Sequence, residues 1–175
     1  MLNVNHANRG KSLEYLINYA NQQYLAKRVA LVQYIPTDWT VIRRGMQIIS
    51  AFPTHKSTVD YIGVTNFNRE LVPLAFDAKQ CNLKTNFPLS NIEQHQLDYL
   101  VEWRSLGGTS FFLIEMLVLR KIFRVELNEI MEYWLAAEAG GRKSIPLMDF
   151  GKFKVVGQAG GIVLDYLNYT QRNVV

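Results

Sequence analysis

Two acidic residues and a lysine flank a predicted β-turn near the middle of the chain. Asp60 lies in a β-rich segment, residues 59–65, and Asp77 and Lys79 lie in a second one, residues 71–79. Residues 66–70 between them are turn-prone, which predicts a β-hairpin. A turn centred between residues 68 and 69 puts Asp60 opposite Asp77, with Cβ atoms about 5 Å apart. Alternation along the strands puts Lys79 on the face of Asp77 and Thr58 on that of Asp60, so four polar groups converge.

This arrangement favours cation-assisted phosphate chemistry. Two carboxylates so close repel each other unless a positive charge lies between them. The natural occupant is a hard divalent cation or the Lys79 ammonium, and oxygen ligands favour Mg²⁺ or Mn²⁺ over Zn²⁺. A metal held by carboxylates lowers the pKa of an attacking water, and Lys79 would stabilise the charge of a phosphoryl transition state. The pattern is therefore typical of a nuclease.

A solvated ion cluster on a strand face accounts for the same residues. Asp77-Ala78-Lys79 is the only Asp/Glu-x-Lys triplet in the chain, and about one is expected by chance. Pro73 lies inside the second strand, where proline is tolerated only at edges or bulges. A slip of one residue would put the two acids on opposite faces. At this stage both interpretations stay open.

The flanking segments predict how the hairpin is supported. An amphipathic helix is predicted over residues 12–26, with Ser12 as its cap and Glu14 at the edge of its apolar stripe. Residues 28–35 are β-rich, and residues 39–49, broken at Gly45, are predicted to form a protruding hairpin. The apolar stripe of the helix consists of Leu13, Leu16, Ile17, Ala20 and Tyr24.

The second half of the chain predicts more helices and strands. Ser90-Asn91-Ile92-Glu93 matches a capping box opening a helix that ends at Gly107-Gly108. Strands are predicted over residues 110–114 and 121–125. A third helix before Gly140-Gly141 presents one apolar face. The order α-β-β-β-β-α-β-β-α predicts an α/β domain on a central mixed sheet flanked by helices. The apolar face of the third helix is formed by Leu127, Ile130, Met131, Trp134 and Leu135.

Composition excludes several classes of protein. The 175 residues are 49% hydrophobic and 19% charged, which predicts one globular domain over residues 1–175 and excludes a disordered chain. No apolar run approaches the roughly 20 residues of a membrane helix. The N-terminus lacks a secretory signal and Cys81 stands alone, so we expect a cytoplasmic protein and a structural thiol. A net charge of +4, spread in small basic groups, is compatible with a polyanionic partner.

The histidines and two of the aromatic residues are not predicted to take part in metal binding or base stacking. His6, His55 and His95 match no zinc-ligand spacing, so we expect no zinc site. Tyr24 and Trp134 lie on apolar helical faces, which indicates core packing rather than base stacking.

The chain resembles the RecU family of Holliday-junction resolvases, which are endonucleases with a restriction-endonuclease-like PD-(D/E)xK core. The resemblance covers roughly residues 8–146, with a looser match at residues 164–167. Seven segments carry it in order: Asn8-Arg9-Gly10 with Glu14, Ser57-Thr58-Val59-Asp60-Tyr61, Phe76-Asp77-Ala78-Lys79, Lys84-Thr85-Asn86-Phe87-Pro88-Leu89, His95-Gln96, Gly107-Gly108 and Gly141-Arg142-Lys143-Ser144-Ile145.

The resemblance implies a role for each matching residue. It implies Mg²⁺, with Mn²⁺ as an alternative, liganded by Thr58, Asp60, Asp77 and Gln96. It implies that the catalytic residues are Lys79, Asp60, Asp77 and Glu14. It also implies that residues 36–56 form a protruding β-stalk that enters the junction. The DNA-binding residues would then be Arg9, Arg43, Arg44, Lys56, Lys84, Arg142 and Lys143.

The resemblance further implies a homodimer that resolves four-way DNA junctions by paired symmetric nicks in recombination and repair, with a recombinase as a further partner. Twofold symmetry suits a twofold substrate. Three departures from the family pattern matter: Asp77 stands where the family usually has Glu, the stretch from residue 36 to residue 60 is shorter, and the basic N-terminal extension of some members is not found in this sequence. A non-catalytic protein that binds junction DNA or modulates a recombinase is therefore one alternative. A restriction-type duplex endonuclease is another.

Overall fold

The structure, a computed structural model, describes residues 10–36, 39–53, 58–67 and 70–168. Its α-helices are α1 (Gly10–Ala26), α2 (Gln94–Ser105) and α3 (Leu127–Glu138). Short 3₁₀-helices span Leu89–Asn91 and Leu147–Lys152. The strands are β1 (Ala30–Tyr34), β2 (Trp39–Arg44), β3 (Gln47–Pro53), β4 (Tyr61–Phe67), β5 (Glu70–Cys81), β6 (Asn86–Pro88), β7 (Thr109–Met116), β8 (Lys121–Glu126), β9 (Ser144–Pro146) and β10 (Lys154–Val156).

A six-stranded mixed sheet organises the fold, which confirms the predicted class. Its strand order is β1-β4-β5-β7-β8-β10. The pair β5 and β7 is parallel, because α2 crosses over between them, and the other neighbours are antiparallel. Two smaller pairs lie outside this sheet: the β2–β3 hairpin and the β6–β9 ladder. No helix of the described ranges is long and apolar enough to cross a membrane.

The hairpin register agrees with the sequence prediction. β4 and β5 pair antiparallel from Tyr61 opposite Phe76 to Phe67 opposite Glu70. Pro73 lies opposite Val64, one residue before the part of β5 that pairs with β7. The proline therefore has a neighbouring strand on one side only, and its missing N–H leaves no ladder bond open.

Two apolar cores cover the two faces of the sheet. On one face α1 packs through Leu13, Ile17 and Tyr24 against a row of buried aromatic rings. On the other face α2 and α3 pack against Ala75 and Phe112 and their neighbours. Successive residues of β5 alternate between these cores, so Asp77, which lies on the face of Ala75, points toward α2.

Several local predictions are wrong. Ser12 is not the cap of α1, because the helix already includes Gly10. Ser90 does not open α2: it belongs to a 3₁₀-helix, and the capping box is formed by Glu93 and Gln96. On α3, Leu135 is 56% exposed rather than buried, whereas Trp134 packs half-buried against the core as predicted. The sequence also gave no indication of the three-residue strands β6, β9 and β10.

The β2–β3 segment forms the predicted hairpin. Its turn contains Gly45 with φ of +61°, a left-handed conformation that glycine adopts without strain. The two strands pair from Trp39 opposite Pro53 to Arg44 opposite Gln47, with an irregularity after Ile42. Residues 41–52 are exposed along the hairpin, which is consistent with a segment that protrudes from the domain.

Candidate active site

Three polar side chains form a closed cluster between β5 and α2. The Lys79 Nζ lies 2.8 Å from Asp77 Oδ2 and donates a hydrogen bond of 2.8 Å to Gln96 Oε1. Gln96 Nε2 donates to Asp77 Oδ1, also at 2.8 Å. Asp77 is fully buried, and Gln96 is 7% exposed. This Asp77–Lys79–Gln96 cluster brings together a carboxylate and an ammonium from β5 and an amide from α2.

Gln96 is positioned by the start of α2. Its Oε1 accepts a second hydrogen bond, of 3.2 Å, from the backbone N–H of Glu93, and the Glu93 side chain accepts from the Gln96 backbone in return. This reciprocal capping box fixes the first turn of the helix. One amide side chain therefore serves both the helix terminus and the acidic cluster.

Asp60 lies directly before β4 and faces the end of β5. Its Oδ2 accepts a hydrogen bond of 3.0 Å from the backbone N–H of Ala78, and its carbonyl accepts one of 2.8 Å from Ile35. The two acids thus lie side by side, as the register predicts. Thr58 is exposed and precedes the strand, so strand alternation does not fix its side chain, contrary to the premise of the sequence argument.

The acidic pair perturbs the titration of Asp77. Burial is the larger cause and the neighbouring charge of Asp60 the second, and together they raise its pKa from 3.8 to about 7. The Lys79 ammonium lowers this pKa and offsets only part of the increase. The site therefore holds more negative charge than its one ammonium neutralises.

These residues fit a hard divalent cation. Lys79 Nζ is close enough to Asp77 Oδ2 for an ion pair but outside hydrogen-bond alignment, so Oδ2 is a buried carboxylate oxygen without a hydrogen bond. No three His, Cys, Asp or Glu residues cluster within the described part of the chain. A cation here would thus be held by Asp60, Asp77 and the Gln96 amide oxygen, donors that suit Mg²⁺ or Mn²⁺.

Glu14 approaches the site from the other face of the sheet. It lies on α1, half-buried, and its charge raises the pKa of both Tyr34 and Tyr61, as the charge of Asp60 does. Burial is the larger cause for both tyrosines. The charges of Glu14, Asp60 and Asp77 therefore all reach the same two tyrosines. Sequence reasoning did not single out Tyr34, whose position beside the acids depends on the pairing of β1 with β4.

The basic residues implied for DNA binding lie on three separate segments. Arg43 and Arg44 are exposed on β2, and Lys84 is exposed between β5 and β6. Arg142 and Lys143 are exposed before β9, where Arg142 Nε donates a hydrogen bond of 2.9 Å to Ser144. Lys143 also lines a cavity of 510 Å³ with Trp134. Arg9 and Lys56 lie outside the described residues.

Comparison with known proteins gives consistent matches. The sequence profile of RecU, recombination protein U, matches residues 8–172. The "Holliday junction resolvase RecU" of Pediococcus pentosaceus is 36% identical over 151 residues, which are 83% of this chain and 73% of that protein. The protein of the same name from Oenococcus oeni is 33% identical, covering 90% of this chain and 78% of that one.

A more distant relative and one solved structure extend the comparison. The "Holliday junction resolvase RecU" of a Geobacillus species is 29% identical, covering 96% of this chain and 85% of that protein. A solved structure of Hjc, a Holliday junction resolvase from Archaeoglobus fulgidus, matches with a TM-score of 0.36 and 9% identity. It covers 64% of this chain and 77% of the Hjc chain. Similarity this weak carries no weight for fold or function.

Proposed function

The chain belongs to the RecU family, and from that premise we propose that it is a Mg²⁺-dependent endonuclease that resolves four-way DNA junctions by paired symmetric nicks. The observation that carries the chemistry is the buried Asp77 carboxylate beside Asp60, tied to Lys79 and Gln96. Excess negative charge in a buried site, with an ammonium alongside, is what a cation-dependent phosphodiesterase requires.

The proposed cation ligands are acidic and amide side chains of the site. Asp60, Asp77 and the Gln96 amide oxygen would hold the cation, with Thr58 as a further oxygen donor. When bound, a divalent cation polarises the phosphate and lowers the pKa of an attacking water. Gln96 Oε1 already accepts hydrogen bonds from Lys79 and the Glu93 N–H. Its two lone pairs are thus used, and a cation at this oxygen replaces one of these donors.

Lys79 is the group best placed to meet the substrate. Its ammonium lies at the edge of the cluster, about one-sixth exposed (16%), while the Asp77 side chain is fully buried. In the proposed reaction this ammonium stabilises charge on the phosphate oxygens in the transition state. Glu14, whose charge acts on the same tyrosines as that of Asp60, would be a further acidic residue of the catalytic site.

Junction binding is assigned to the exposed basic residues and to the β2–β3 hairpin as the stalk. Arg43 and Arg44 on the hairpin, Lys84, Arg142 and Lys143, with Arg9 and Lys56, would contact phosphates. A homodimer would present two sites related by a twofold axis, so that two opposed strands are nicked.

The test is cleavage of a synthetic four-way junction with Mg²⁺, with a linear duplex of the same sequence alongside. We expect paired nicks by wild-type protein, at least a hundredfold slower cleavage by Lys79→Met and Asp77→Asn, and wild-type rates for Asp98→Asn on the exposed face of α2. Junction binding in Ca²⁺ should persist in the Lys79 variant, because one lost cation removes only part of the phosphate footprint.

Other outcomes would favour the alternatives. Tight junction binding without product in Mg²⁺ or Mn²⁺ would make the chain a non-catalytic junction-binding protein. Cleavage of the linear duplex at fixed sites, as fast as the junction, would make it a restriction-type nuclease. Equal product from wild type and both site variants would refute the assigned chemistry.

A further inference from the structure

Tyr34 ends the edge strand β1 beside the acidic site. It pairs with Tyr61, the residue that follows Asp60. The Ile35 N–H donates to the Asp60 carbonyl at 2.8 Å, so the pairing continues one residue past the strand. The chain around Tyr34 therefore lies directly against the backbone that carries Asp60.

A row of aromatic rings holds the Tyr34 ring in place. The ring contacts Tyr61 edge-on with centroids 5.4 Å apart, and Tyr61 stacks on Phe76 at 4.8 Å. Phe76 stacks in turn on Phe111 at 4.8 Å, and the Arg124 guanidinium covers Phe111 at 3.9 Å. The three inner rings are fully buried, whereas Tyr34 is 38% exposed. Tyr34 is thus the solvent-accessible end of the row, and its ring is held in place by its contact with Tyr61.

The charges around the Tyr34 hydroxyl are acidic. After burial, the causes that raise its pKa are Glu14, Asp60 and Asp77, in that order. A neutral tyrosine hydroxyl can donate a hydrogen bond. A neutral donor at the rim of an acidic site suits a phosphate oxygen, because it attracts the phosphate without competing with the carboxylates for a cation.

We propose that Tyr34 is a substrate-contacting residue whose hydroxyl donates a hydrogen bond to a phosphate oxygen of the DNA strand that is cut. This inference rests on the proposed junction cleavage and adds a residue from the edge strand to the site. Because β1 and β5 lie on opposite sides of β4, Tyr34 and Lys79 would contact the phosphate backbone from two sides of Asp60.

The test compares Tyr34→Phe with wild type in single-turnover cleavage of a four-way junction. The variant keeps the ring and its packing on Tyr61, so unchanged thermal unfolding verifies its fold. We expect cleavage at least tenfold slower, because a hydrogen bond to a charged group is lost, and junction binding in Ca²⁺ within about threefold of wild type. Tyr19→Phe removes the hydroxyl of an exposed tyrosine on the outer side of α1 and should cleave like wild type.

A phosphate scan locates the contact. Junctions that carry a single uncharged methylphosphonate at each position near the cut are compared in both proteins. At one position the substitution should slow the wild type and leave Tyr34→Phe unaffected. Tyr34→Phe that cleaves at the wild-type rate, or slows equally at every substituted position, would overturn the inference. Failure of the proposed function shows instead as a wild type that produces no nicks, and the inference then falls with it.

Discussion

Replacing Asp77 by asparagine in metal-free protein removes the ion pair with Lys79, and the stability of the variant relative to wild type should increase as the pH rises. Asparagine keeps the size of the side chain and the oxygen that accepts from Gln96, but it cannot ionise. The pKa of Asp77 is raised from 3.8 to about 7 in the folded protein. The unfolded chain therefore loses the proton first as the pH rises above 4, and wild-type stability falls until about pH 7, where the folded state also ionises.

The size of the effect follows from the difference between the pKa of Asp77 in the unfolded chain and in the folded protein. Each pKa unit corresponds to about 1.4 kcal/mol, so ionising Asp77 inside the fold costs up to about 4 kcal/mol. More than half of that cost falls between pH 5 and pH 8, so the free energy of unfolding of D77N should rise relative to that of wild type by roughly 2 to 3 kcal/mol over this interval. For a domain of this size, 1 kcal/mol corresponds to about 2–4 °C in Tm.

The assay is urea unfolding of both proteins at pH 5 and pH 8 in EDTA, repeated with Mg²⁺. D98N, which changes an exposed aspartate on α2, is the matched control and should differ from wild type by less than about 0.5 kcal/mol at both pH values. Mg²⁺ should stabilise the wild type at pH 8 and leave D77N unchanged. A stability difference between D77N and wild type that is the same at both pH values would refute the claim that burial and Asp60 raise the pKa.

Three further perturbations test other parts of the structure. Gly63→Ala should destabilise the protein by about 3 kcal/mol in urea unfolding, because the new Cβ would lie 2.8 Å from the Cα of Val32 on β1. The control Gly151→Ala places its Cβ in open space and should not destabilise the protein. Equal effects of the two substitutions would contradict this packing. Gln96→Ala should cost about 2 kcal/mol or more in the same assay, because its hydrogen bonds with Lys79, Asp77 and the Glu93 N–H are lost. A cost below about 0.5 kcal/mol would count against the cluster. The double variant Arg43→Ala/Arg44→Ala should bind the junction more weakly, as measured by fluorescence anisotropy. The slope of the logarithm of the association constant against the logarithm of the salt concentration should become smaller by about two. An unchanged slope would show that the hairpin is not part of the binding surface.

Local sequence patterns predicted the parts of the structure that depend on neighbours along the chain. The turn-prone composition of residues 66–70 predicted the pairing of β4 with β5, and the observed register confirms that this pairing brings Asp60 to Asp77. Helical spacing identified α1 and its buried residues. The capping motif was assigned three residues too early, at Ser90, because Glu93 can serve as well as serine when Gln96 completes the box.

Contacts between distant segments left no local pattern. β6 and β9 have three residues each and pair across more than fifty positions, so neither shows a periodicity. Gln96 entered the site through the family resemblance alone, since the spacing of α2 does not indicate which face meets β5. Tyr34 depends on the pairing of β1 with β4. The complete burial of Asp77, which raises its pKa, depends on the packing of α2 over the sheet.

The shared oxygen of Gln96 couples the acidic cluster to the local stability of a helix terminus. Any cation that takes this oxygen as a ligand competes with the two groups that now donate to it, the Lys79 ammonium and the Glu93 amide. A cation that displaces the Glu93 amide should accelerate deuterium exchange at that single amide, while amides in the middle of α2 keep their protection. Exchange that is indifferent to Mg²⁺ would show that the helix cap stays intact, either because the cation displaces the Lys79 ammonium or because it does not use this oxygen.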